Sequence, residues 1–228
     1  MAVLHRADLL PTKLELLAAW LPSRRWYQGQ AGAELRRVAT YRFDDPAGAV
    51  GIETILVQAG AGGVHQIPLT YRDAPLDGGD RWLVGTMDHS VLGQRWVYDA
   101  CGDRVYAEAM AGAIFAGAGQ ADEFFEVDGR LERREPTMTI ASTGGQDTQV
   151  GVDGVVGVVG SFHRVVDDDP TLIVTEAVEL AVVRRLGGGI PLAGAMLTGT
   201  WSGQASPVPL AYAARRGTSV VVVSGETR

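Results

Sequence analysis

The chain has 228 residues, enough for one large domain or two small ones packed together. Its 46% hydrophobic and 21% charged content is that of an ordinary globular protein. A net charge of -7 excludes a nucleic-acid surface, which needs a basic stripe, and the arginine pairs such as Arg24-Arg25 and Arg184-Arg185 are scattered among acids. One cysteine, Cys101, excludes an internal disulfide framework and fits a reducing cytoplasm, where the chain is expected to reside. No run reaches the ~18 apolar residues of a membrane helix, and Asp8 and Glu15 interrupt any leader-like core.

Leu14, Leu17, Ala18 and Leu21 recur at helical spacing, so a helix is predicted over Lys13–Leu21, with Thr12 as its cap and Pro22 as its stop. Ser23–Gln30 reads as a polar-aromatic turn. Strands are predicted at Glu34–Phe43, Gly51–Gln58, Val64–Arg72, Arg81–Thr86 and Arg95–Asp99, separated by Asp, Pro and Gly turns. A helix followed by a meander of strands implies an antiparallel sheet.

Asp103 is placed to cap a helix over Val105–Phe115. Asp128-Gly129 and Asp153-Gly154 each sit between short strand-like runs and read as hairpin turns; the second joins Thr148–Val152 to Val155–Val159. Asp169-Pro170 reads as a helix start and Arg184-Arg185-Leu-Gly187 as its end, so a second long helix is expected up to Leu186. Strands are then expected at Ala193–Trp201, Val208–Ala213 and Ser219–Val223. The order hairpin, helix, strand, strand matches the small lobe of protein-kinase-like folds.

Four segments carry a resemblance to a known family: Trp20-Leu-Pro-Ser-Arg-Arg-Trp26, Pro68-Leu-Thr-Tyr-Arg72, Gly85-Thr-Met-Asp-His-Ser-Val-Leu-Gly93 and Arg95-Trp-Val-Tyr-Asp99. The chain resembles the N-terminal region of actinobacterial maltokinases, kinases that make maltose 1-phosphate in α-glucan metabolism. The resemblance implies an α+β fold: a cap domain of antiparallel sheet over residues 1–95, then a degenerate module like a kinase N-lobe, sheet plus helix, over 96–228. It also implies that the catalytic helical lobe has no counterpart here.

Carried over residue by residue, the resemblance places the phosphate-covering loop at Gln146, Asp147 and Thr148. It places Gly160 where the strand lysine should be, and Ile173 where its helix glutamate partner should be. Glu176 and Glu179 lie nearby, and Glu176 reads as a solvated helix carboxylate. The only lysine, Lys13, stands against 19 arginines. No catalytic residue, cofactor or metal is therefore expected, since phosphoryl transfer depends on electrostatic clamping of the phosphates. Asp88-His89-Ser90 reads as a turn whose side chains bond to the backbone.

The expected role is a non-catalytic homologue of the maltokinase cap region that binds a partner protein or a sugar or glycan, linked to α-glucan or trehalose metabolism. The alternative is the N-terminal half of an ATP-dependent small-sugar kinase, completed in trans by a separate catalytic lobe. Of Trp20, Trp26, Trp82, Trp96 and Trp201, the turn pair Trp26-Tyr27 is the best exposed contact surface. Val221, on the C-terminal strand edge, is the expected site of self-association or partner docking. Trp96 is expected to make the join between the modules rigid.

Overall fold

The computed structural model describes residues 2–4, 7–30, 32–127, 129–144, 159–188 and 192–216. After β1 (Ala2–Leu4) and β2 (Leu9–Leu10) comes helix α1 (Lys13–Trp20). Thr12 caps it, as the sequence predicts, and Glu15 completes a reciprocal capping box. Strands β3 (Leu35–Phe43), β4 (Gly51–Ala59), β5 (Val64–Arg72), β6 (Leu83–His89) and β7 (Gly93–Asp99) follow. With β2 they form a six-stranded antiparallel sheet in the order β2-β6-β7-β5-β4-β3. The boundary expected at residue 95 falls inside β7.

The central strands β4 and β5 are buried on both faces along most of their length. Ile55, Val57, Ile67 and Leu69 pack under α1 through Leu16, Leu17 and Trp20. Tyr41, Ile52 and Leu56 face the other way, toward α2 (Arg104–Phe115). Asp103 caps α2 through the Val105 amide and holds the Arg72 guanidinium with two bonds of 2.8 Å, tying the helix to β5.

Strands β8 (Glu123–Val127) and β9 (Arg130–Arg133) form a small sheet with β1. A second six-stranded antiparallel sheet contains β10 (Met138–Ser142), β11 (Phe162–Val166), β12 (Thr171–Thr175), β13 (Val178–Val182), β14 (Ala195–Trp201) and β15 (Gln204–Arg215). Its order is β10-β14-β15-β13-β12-β11. Helix α2 lies between the two large sheets, and Met110, Ala111 and Ile114 share one core with Ile173, Leu180, Val182 and Leu210. No helix among the described residues is long and apolar enough to cross a membrane.

The helix expected from Pro170 to Leu186 is absent. That segment is the hairpin β12–β13, paired from Thr171↔Val182 to Val174↔Glu179. Thr171, Ile173 and Thr175 are buried while Leu172 and Val174 are half-exposed, a period of two. A run so rich in β-branched side chains packs well on a pleated surface, and this outweighs the Asp-Pro start signal. The Asp169 carboxylate instead accepts the Arg184 amide of the returning strand, 2.9 Å away. The second half is therefore a six-stranded sheet packed on α2, with a hairpin where its second helix was expected. The predicted hairpin at 148–159 and the strand at 219–223 lie outside the described residues, apart from Val159.

A polar seam joins the two sheets. The Gln66 amide donates to the Arg184 carbonyl and the Leu186 amide to the Val64 carbonyl, both at 2.8 Å. The Gln66 side chain donates to the carbonyls of Val183 and Leu210. Arg184 is fully buried; it pairs with Asp99 at 2.7 Å, donates to the Thr171 hydroxyl, and lies 4.7 Å from the Trp26 ring centroid. Trp96, expected to make this join, is only half-buried.

Candidate ligand cleft

One end of the first sheet, just beyond the N-terminus of α1, opens into a cleft of about 440 Å³. Strand register assembles it. Arg42 stands opposite Glu53, Gly51 opposite Tyr71, Tyr71 opposite Val97, and Met87 opposite Arg95. Directly opposed residues share a face, and so do residues two apart on one strand. The register thus sets Arg42, Gly51, Glu53, Tyr71, Met87 and Arg95 on the α1 side. Lys13, the first residue of α1, closes over them, and Leu9, His89 and Leu92 form the far wall.

Glu53 organises the floor. It is 5% exposed, receives Lys13 Nζ at 2.5 Å and the Tyr71 hydroxyl at 2.9 Å, and has Arg42 at 3.7 Å. Burial alone would raise its pKa, but Lys13 and Arg42 outweigh it and hold the carboxyl at about 2. Burial, reinforced by the Glu53 charge, pushes the Tyr71 phenol well above its usual range. Gly51 keeps the floor low: a Cβ there would meet Tyr71 Cβ at 3.5 Å and Arg42 Nη2 at 3.6 Å.

Glu53 should make stability acid-sensitive. Its folded-state pKa lies below the ordinary 4.5, so its contribution is complete above about pH 4.5 and is lost as the pH falls through about 2. Glu53→Gln is expected to cost about 2–3 kcal/mol at pH 7, because Lys13 and Arg42 lose their counter-charge. Urea melts of both proteins at pH 7 and pH 2.5 check this: the gap should shrink strongly at the lower pH. An equal gap at both would show that the carboxylate charge contributes nothing.

The other sequence-marked residues lie elsewhere. Trp26 is not on an exposed turn: it is 2% exposed, donates its indole N–H to Asp167 at 2.7 Å and packs against Trp20, His65 and Arg184. Two of these partners, Asp167 and Arg184, come from the segments that follow β11 and β13, which local sequence cannot show. Tyr27 is half-buried against His65. Gly160 has φ +64°, and a Cβ there would meet Glu176 Cβ at 2.7 Å, so the turn before β11 selects glycine on backbone grounds. Ile173 is buried on β12, and Glu176 sits in the β12–β13 turn, so neither lies on a helix. Gln146, Asp147, Thr148 and Val221 lie outside the described residues.

Asp88-His89-Ser90 is a turn bonded to backbone: His89 Nδ1 accepts the Val91 and Leu92 amides, and the Ser90 hydroxyl accepts the Asp8 amide. None of the five tryptophans lines the cleft. Among the described residues, no group of three or more His, Cys, Asp or Glu is placed to hold a metal ion. Sequence reasoning missed Lys13, Gly51, Glu53, Tyr71 and Arg95 as a set. The one available signal was Glu53, the lone charged residue of the strand Gly51–Ala59.

Residues 20–103 match the family model of the maltokinase N-terminal cap domain. The matched stretch runs from the last residue of α1 to the residue that caps α2, and includes β3 to β7. It thus contains Arg42, Gly51, Glu53, Tyr71, Met87 and Arg95 of the cleft, while Lys13 precedes it. No curated protein matches the chain.

Proposed function

We propose that this protein is a non-catalytic binding module whose cleft receives a saccharide, an α-glucoside of the maltose type, in α-glucan metabolism. The observation that carries this reading is the chemistry of the cleft. Three cations, Lys13, Arg42 and Arg95, meet three acids, Asp44, Asp45 and Glu53, so the lining offers both donors and acceptors on a surface of no net charge. Sugar hydroxyls both donate and accept, and such a lining serves them better than it serves a polyanion such as ATP. Tyr71 and Phe43 supply aromatic surface, and Met87, Leu9 and Leu92 supply apolar wall. The maltokinase name of the matched family points to the same ligand class.

The ionisable groups favour binding over chemistry. Glu53 is held ionised and Tyr71 protonated at neutral pH, and Nδ1 of His89 is occupied by backbone amides. A general acid or base works best with a pKa near the working pH, and neither Glu53 nor Tyr71 has one.

Calorimetric titration of the full chain with maltose, trehalose, glucose and Mg-ATP tests the proposal. A saturable heat with maltose, weaker with glucose and absent with Mg-ATP, is expected. Saturable Mg-ATP binding without saccharide binding would overturn it, as would sugar phosphate formation that co-elutes with the protein.

A further inference from the structure

We infer that the seam between the two large sheets encloses ordered water, held by Thr70 of β5, Tyr106 of α2 and Arg184 just past β13. Each of these residues is fully buried, and each presents a polar atom without a partner: Thr70 Oγ1, Tyr106 Oη and Arg184 Nη1. Thr54 Oγ1 adds a fourth; it lies beside the Tyr41 hydroxyl, which donates to Gln66.

Such atoms do not stay bare at no cost. A buried polar group without a hydrogen bond costs about 1–3 kcal/mol, and folded proteins leave few of them. These four lie in one region. Tyr41 stands opposite Thr54 on the neighbouring strand, and Thr70 stands opposite Ile52, two residues along β4 on the same face. Tyr106 packs in one core with Tyr41, and the Arg184 and Asp99 charges act on its hydroxyl. Arg184 spends Nη2 on Asp99 and Nε on Thr171, which leaves Nη1 facing the interior.

The chemistry selects water over an anion. Buried water makes about three hydrogen bonds and must both accept and donate. Arg184 Nη1 donates, while the threonine and tyrosine hydroxyls accept as well as donate. An anion would find the same donors but would also meet the Asp99 carboxylate, already paired to Arg184.

A crystal structure that resolves bound water should show density within hydrogen-bonding distance of Tyr106 Oη and Arg184 Nη1. An empty interior there overturns the inference. In solution, Tyr106→Phe and Thr70→Val should each lower the Tm by about 2–6 °C, because each strips a bond from a retained water. The double variant should lose less than the sum, since both hydroxyls serve one water cluster. A dry seam predicts the opposite sign, a Tm unchanged or raised, because an orphaned hydroxyl would have been removed. The Tm should be equal in chloride and gluconate at matched ionic strength; specific stabilisation by chloride would assign the site to an anion instead.

Discussion

Replacing Arg184 with alanine is expected to cost about 3–5 kcal/mol and to lower the Tm by roughly 6–20 °C. The side chain is fully buried and joins three parts of the molecule: Asp99 at the end of the first sheet, Thr171 in the second, and the Trp26 ring above both. Its loss leaves the Asp99 carboxylate buried without its partner and opens a cavity under Trp26. An unpaired buried charge is costlier than the pair is stabilising. The double variant Arg184→Met, Asp99→Leu should therefore recover much of the loss. Urea unfolding followed by tryptophan fluorescence provides the measurement. A midpoint within 1 kcal/mol of wild type for Arg184→Ala, a threshold set well below the expected ~3–5, would show that the sheets are joined by something else.

Gly51→Leu should abolish saccharide binding while leaving the fold intact. Gly51 is in extended strand β4, and a leucine there points into the cleft over Tyr71 and Arg42. The first side-chain atom meets only ordinary contacts at 3.5–3.6 Å, so the strand accepts it. Glycine is a poor strand residue, and the change should be neutral or mildly stabilising. Affinity for maltose should fall at least about tenfold, equivalent to about 1.4 kcal/mol, because the added branches occupy the floor. Unchanged affinity with a normal melting curve would place the binding site elsewhere.

Several elements were legible in the sequence because their signals are local. The Thr12 cap, the period of α1 and the turn residues between β3 and β7 all lie within a few positions of the elements they define. The hairpin β12–β13 was misread for the same reason. Asp169-Pro170 and Arg184-Arg185 resemble helix ends, whereas the alternation of Thr171, Ile173 and Thr175 into the core becomes decisive only with a second layer to face. Trp26 looked exposed because its cover, Asp167, is 141 residues away in sequence.

The cleft was illegible for a related reason. Lys13, Arg42, Glu53, Tyr71 and Arg95 come from five different elements, and only strand register brings them to one face. The lone lysine mattered, though not where kinase resemblance directed attention. It stands at the first position of α1 and neutralises the carboxylate under the cleft. Gly160, read as a lost lysine, has a sufficient reason in its own backbone.

Mapping of backbone amide shifts during maltose titration tests the central claim most directly. The account predicts saturable shifts confined to the amides of Lys13, Arg42, Gly51, Tyr71, Met87, Arg95 and their neighbours, all lost in Gly51→Leu. Shifts centred on the second sheet, or none at a ligand concentration where calorimetry shows saturation, would contradict it.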